Sequence, residues 1–129
     1  MTNSTKSPAA VPGTNPKDLL GIKKPPLSLV PPVALIHCSM AMKNGMEKYG
    51  AYNFRETAVQ ALIYADAAQR HILSWIDGEE FAADSGVHHL GHAMACAAIL
   101  LDAQSTGMLA DNRPPRGRAA QLIAELTIK

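Results

Sequence analysis

The sequence predicts an all-α fold: a small helical bundle with an extended, proline-rich N-terminal arm, completed by self-association. Two observations carry this. Long stretches with apolar residues at helical spacing are bounded by caps and glycines, and no stretch sustains the period-two alternation of a strand. The arm follows from seven of the nine prolines falling before Val33. The 129 residues, 47% hydrophobic and 5% aromatic, are length for one compact domain.

Residues 1–14 read as a flexible tail, because Ser, Thr, Pro and Ala offer almost nothing to bury. From Lys17 to Leu29, apolar Leu19, Leu20, Ile22, Leu27 and Leu29 give an extended arm something to lay over a helical body. A first helix starts at Pro31-Pro32, since proline is tolerated in a first turn, and runs toward Lys48, with Gly50 as its stop. Gly45 inside it costs roughly 1 kcal/mol relative to alanine, so a break there is a competing expectation. Asn53-Phe54-Arg55-Glu56 has the spacing of a capping box and opens a second helix, from Phe54 to about Ile76, closed by Gly78. A short acidic loop, Glu79 to Gly86, leads to a third helix capped by Asp84 or Ser85, running from about Gly86 to Gln104 and ending at Gly107. The helical domain thus occupies residues 15–107, and residues 108–129 are a C-terminal tail or short helix.

The third helix is apolar nearly all round, from Val87 and Leu90 through Met94 to Ile99, Leu100 and Leu101, with alanines between them. Such a helix is central, and three helices can scarcely bury one on every side. A homo-oligomer joined through the alanine faces is the expectation.

Twelve Lys and Arg against eleven Asp and Glu leave a formal charge of +1, which gives no general case for binding long nucleic acid or an anionic membrane. Cys38 and Cys96 lie in apolar segments without CxxC spacing, and no apolar run approaches a bilayer span, so a cytoplasmic protein is expected.

Three groups of polar residues interrupt the apolar pattern. Asp66, Gln69 and Arg70 share a stripe of the second helix with Val59, Leu62, Ile63 and Leu73, and are expected to be buried or to line a cleft. Asp66 and Arg70 fit either a structural ion pair or a phosphate site in which Arg70 holds the anion and Asp66 orients it or reaches a metal. His89 and His92 point to one side of the third helix, just beyond Glu79, Glu80, Asp84 and His88. Hydrogen-bonded core histidines fit this pattern, and so does a pocket where carboxylates and imidazoles converge. The turn from Lys43 to Arg55 mixes Lys48, Tyr49, Tyr52, Asn53 and Arg55, offering aromatic faces for a base and charge for a phosphate, or simply a solvated connection. No P-loop, GxGxxG, GxSxG or HExxH occurs.

Taken in order, Asn15-Pro16-Lys17-Asp18, Lys48-Tyr49-Gly50 with Asn53 and Arg55, Arg70-His71, Gly78-Glu79, Asp84-Ser85-Gly86 and His89-Leu90-Gly91-His92 resemble the phage dATP/dGTP diphosphohydrolase N-terminal domain family, over about Asn15 to Gln104. The resemblance implies a link to deoxynucleotide hydrolysis and to the MazG-like all-α nucleotide pyrophosphohydrolases. It also implies a nucleotide partner and a phage protein working in the host cytoplasm. Such enzymes hold magnesium with ExxE on one helix and ExxD on a later one; here the later position reads His89-Leu90-Gly91-His92, and the second helix has no ExxE. On this reading Glu79, Glu80 and Asp84 are the catalytic candidates. Lys48, Tyr49, Asn53, Arg55, Arg70, His71, His89 and His92 are the nucleotide-binding candidates. Asp66, Glu79, Asp84, His89 and His92 would hold a divalent metal, Mg or Mn, if the domain is catalytic. A binding module that sequesters a nucleotide or a nucleotide-derived immune signal needs no metal.

Overall fold

The computed structural model of the chain describes residues 15–129, so the expectation for the tail lies outside the described residues. The chain divides after Pro31 into two units. In the first, helix α1 (Pro16–Gly21) is capped by Asn15, whose side-chain oxygen accepts from the Lys17 N–H at 2.9 Å, and proline opens its first turn. A 3₁₀ turn, Leu27–Leu29, follows Pro25-Pro26. The arm is therefore not extended throughout: a capped proline start and a proline-led turn impose local helix where proline density alone suggested none.

The second unit begins at Pro32 with α2 (Pro32–Tyr49). Gly45 lies within this helix without breaking it, and Gly50, at φ +91°, ends it. The expected second helix is interrupted. A single turn, α3 (Asn53–Glu56), is followed by the two-residue strand β1 (Val59–Gln60) before α4 (Ala61–Ile76) begins. The capping box does not form, because Tyr52 rather than Asn53 holds the cap position, at φ +59° and with no side-chain bond. Strand β1 pairs in parallel with β2 (Leu109–Ala110), a ladder too short to leave alternation in the sequence. Asn112, just beyond β2, accepts the Leu62 N–H at 2.9 Å and so caps α4 from fifty residues away.

Helix α5 (His89–Thr106) ends at Gly107, at φ +78°, as expected. Its cap is neither Asp84 nor Ser85 but His88, whose Nδ1 accepts the Leu90 N–H at 3.0 Å. Helix α6 (Ala119–Leu126) closes the described chain. No described helix is long and apolar enough to cross a membrane.

As its composition demands, α5 is central, packing against α2, α3, α4 and β2. Ala41, Val87 and Ala95 form one buried cluster; Phe54, Val59 and Ala103 form another, flanked by Met42, Tyr64, Ile99 and Leu100. Where α5 crosses α2, a side chain at Gly91 would stand 2.5 Å from the His37 carbonyl oxygen, so only glycine admits this approach.

Candidate functional site

All five histidines of the chain gather around the first turns of α5. Helix α4 contributes His71, α2 contributes His37, and the loop between α4 and α5 contributes Glu79, Glu80, Ser85 and His88. An antiparallel bridge between Phe81 and His88 shapes that loop, placing consecutive carboxylates beside consecutive imidazoles.

Three chains of hydrogen bonds run through the group. Glu79 Oε1 lies 2.5 Å from His89 Nε2, and His89 Nδ1 lies 2.8 Å from His71 Nδ1. An ionised carboxylate only accepts, so His89 donates from Nε2; with a neutral His89 ring, Nδ1 then accepts from His71. That assignment leaves His71 Nε2 as the basic end of a carboxylate–imidazole–imidazole relay. Glu80 accepts from His88 Nε2 at 3.0 Å, which fits the capping role of His88 Nδ1. The His92 ring stacks on His71 with centroids 4.5 Å apart and an angle of 15°, and its Nε2 meets Ser85 Oγ at 2.7 Å. Ser85 Oγ also accepts the Val87 N–H at 3.2 Å, so the loop is tied to the same ring. His37 packs against His88 at 5.0 Å.

Burial disfavours the charged form of both stacked rings. Burial, then the neighbouring His92, His89 and Arg70, push His71 below the ordinary imidazole range against a smaller opposing pull from Asp84. For His92, burial pushes the same way, Asp84 opposes it, and His89 and Lys48 add to it. Burial raises the Cys96 thiol, with Arg70 pulling the other way.

Of the residues singled out in the sequence, the structure brings together His71, His89, His92 and Glu79, joins Glu80 to the group through His88, and places Asp84 and Arg70 within electrostatic reach of His71. Asp66, Gln69 and Arg70 are exposed rather than buried, and so are Ile63 and Leu73 of the same stripe, because α4 turns its other face, with Ala61, Tyr64, Ala65, Ala68 and His71, inward. Arg55 makes a two-pronged pair with Asp102, at 2.6 and 2.7 Å, with its side chain half exposed. Lys48 and Tyr49 are exposed at the end of α2, with Lys48 within electrostatic reach of His92, and Asn53 opens α3.

Of the five residues expected to hold a divalent metal, Glu79, His89 and His92 come together and Asp66 stays exposed on α4, but among the described residues no three His, Cys, Asp or Glu form a group that could hold an ion. The donor chemistry gives the reason. His89 has both ring nitrogens engaged, and the carboxylates of Glu79 and Glu80 are each turned onto an imidazole. Asp84 and Asp66 keep open oxygens but stand on different elements, short of the oxygen cage that magnesium prefers.

Sequence reasoning missed His37, the pairing of Glu80 with His88, and the Arg55–Asp102 pair. The spacing of His37 and Ala41 on one face of α2 was a usable signal; the two pairs carried none.

A cavity of about 380 Å³ lies elsewhere, between α2, α3 and α5, walled by Met42, Met46, Tyr52, Phe54 and Ile99.

Residues 14–113 match the family described as dATP/dGTP diphosphohydrolase, N-terminal. A protein of Salmonella phage PMBT28 named dATP/dGTP diphosphohydrolase is 29% identical over 100 residues, which cover 74% of this chain and 32% of that protein. The chain thus spans about a third of that relative's length. No solved structure matches it. With the match running from before α1 to beyond β2, the chain belongs to the dATP/dGTP diphosphohydrolase N-terminal family.

Proposed function

We propose that this chain is a phage nucleotide-binding protein of the deoxynucleoside triphosphate diphosphohydrolase type, acting in the host cytoplasm, that holds a nucleotide triphosphate against the imidazole group at the start of α5. The observation that carries this is the Glu79–His89–His71 relay, which lies inside the matched segment and presents His71 Nε2 beside His92 and Arg70. A neutral His71 can take a proton, and once protonated it donates to a phosphate oxygen while Arg70 and Lys48 balance charge. Glu79 and His89 act as positioning residues that fix the tautomer and orientation of His71.

In the hydrolytic form of this reading, water attacks the α-phosphorus of dATP or dGTP. The water's proton passes to His71 Nε2, and the bond to the bridging oxygen breaks to release pyrophosphate from the monophosphate. Mg or Mn belongs to this form as an assay variable. The test is incubation with dATP and dGTP, with either ion or with EDTA, and separation of the products. Equimolar monophosphate and pyrophosphate, lost in His71→Gln and reduced in Glu79→Gln, is the expected result. A second reading, binding without cleavage, is favoured by the engagement of Glu79 and Glu80 with histidines, which leaves neither carboxylate open to activate water directly. Recovery of intact bound nucleotide would establish that form, and neither turnover nor binding would remove both.

Self-association is part of the proposal. Ala97, Ala98 and Leu101 leave one face of α5 exposed, and Leu73 and Ile76 do the same on α4. Light scattering at the chain mass of 13.7 kDa would overturn it.

A further inference from the structure

Away from the histidine group, α2 carries a feature that its own stability argues against. Gly45 lies within an eighteen-residue helix, four residues before its end, yet a Cβ there would meet nothing within 4 Å. Gly91, by contrast, is forced by the His37 carbonyl. Glycine lowers helix propensity, so one that relieves no clash leaves an opening instead. What it opens onto is the cavity of about 380 Å³, where Gly45, Ala41 and Ala95 leave the space and larger apolar side chains wall it.

We propose that this cavity is the nucleobase pocket of the nucleotide site, taking a planar heterocycle of purine size; the proposal rests on the nucleotide reading above. Its volume falls in the range of small-molecule pockets. Met42 and Met46 supply flexible thioethers, which adapt to a flat ring and favour contact with its edge. Tyr52 and Phe54 stand edge-on at the rim, with centroids 6.0 Å apart at 63°. Tyr52 is held there at φ +59°, the one non-glycine residue with positive φ among those described. Asn53 supplies an amide with both a donor and an acceptor and no hydrogen-bond partner among the described residues, so it can read the polar edge of a base. Lys43 lines the same cavity and brings a cation to it, whereas Arg55 pairs with Asp102. Ala95 follows His92 by three residues on α5, a rise of about 4.5 Å, which puts pocket and imidazole group on successive turns of one helix.

The substitution Gly45→Leu fills the opening while improving helix propensity, so lost binding would not reflect lost folding. Calorimetry on the full chain would use three probes: dGTP, deoxyguanosine and inorganic tripolyphosphate. The expected result is that dGTP binds wild type at least tenfold more tightly than tripolyphosphate. Gly45→Leu should remove that advantage and abolish deoxyguanosine binding, with tripolyphosphate unchanged, and Asn53→Ala should weaken deoxyguanosine binding. Unchanged dGTP and deoxyguanosine binding in Gly45→Leu would overturn the pocket and leave the phosphate site standing. Deoxyguanosine binding that is sensitive to Gly45→Leu, without tripolyphosphate binding, would support the pocket and overturn the phosphate site. Binding of none of the three to wild type would overturn both.

Discussion

Helix α5 meets its two long neighbours in opposite ways. Toward α4 it presents imidazoles that bond to one another and to Glu79; toward α2 it presents glycine and alanine, so that backbone meets backbone at Gly91 and His37. The first seam is directional, since each nitrogen must be a donor or an acceptor, and a change of one proton alters its neighbours. The second is steric, set by how closely two backbones approach. One helix therefore separates chemistry from support, and the two seams should fail in different ways when altered.

The steric seam should give the largest effect. Gly91→Ala places a methyl group 2.5 Å from a main-chain oxygen that cannot turn aside, so one helix must move. Overpacking of this kind costs about 3 kcal/mol, read as a fall in the urea midpoint with an unchanged slope. A midpoint equal to wild type would mean that the α2–α5 approach is looser than described.

The directional seam should give less. His89→Ala removes the middle of the relay, leaving His71 Nδ1 and the Glu79 carboxylate without their partner. Because Glu79 is exposed and can turn to water, the loss is about 2 kcal/mol rather than the full cost of a stranded charge. The sharper signature is chemical: the tautomer of His71, followed by nitrogen NMR, should become mixed once nothing fixes its Nδ1. A single unchanged tautomer would sink the relay.

These seams also mark what a sequence can disclose. The central place of α5 was legible because its apolar character is a property of the helix alone. So were the joint position of His89 and His92 and the stops at Gly50 and Gly107, which follow from spacing and from the freedom of glycine at positive φ. The cap at His88, the cap of α4 by Asn112 and the Arg55–Asp102 pair were not legible, since each depends on a partner that the fold selects. The break at Val59 was hidden for a related reason: two residues of ladder, paired with Leu109 and Ala110, outweigh the helical preference of the segment around them. The exposure of Asp66 and Arg70 shows the same limit, because α4 carries apolar residues on two faces and the fold buries the one with Tyr64 and His71 rather than the one with Ile63 and Leu73.

Gly45→Ala sharpens the contrast between a glycine that is required and one that is not. With open space at its Cβ position, the substitution should stabilise the protein by roughly 1 kcal/mol through helix propensity, raising the thermal midpoint. A loss instead would mean that α2 bends at this position on folding.

The smallest effect expected is on pH dependence, and it should belong to the histidine seam alone. Burial and neighbouring positive charge leave His71 and His92 with lower pKa values in the folded chain than the ordinary 6.5 they recover on unfolding. Between those values the unfolded chain binds more protons than the folded one, so stability rises with pH across that window. The contribution of these rings is fully present above about 6.5 and is lost as pH falls through the depressed folded values. Both rings retain contact with solvent, which screens their interactions and keeps the effect modest. The urea midpoint should therefore decline between pH 7 and pH 5. In His71→Phe, which keeps an aromatic face against His92 but cannot take a proton, that decline should become shallower. In Gly45→Ala the slope should match wild type, because the α2 seam has no part in this titration; an equal slope in His71→Phe would mean that the stacked imidazoles do not carry the pH dependence.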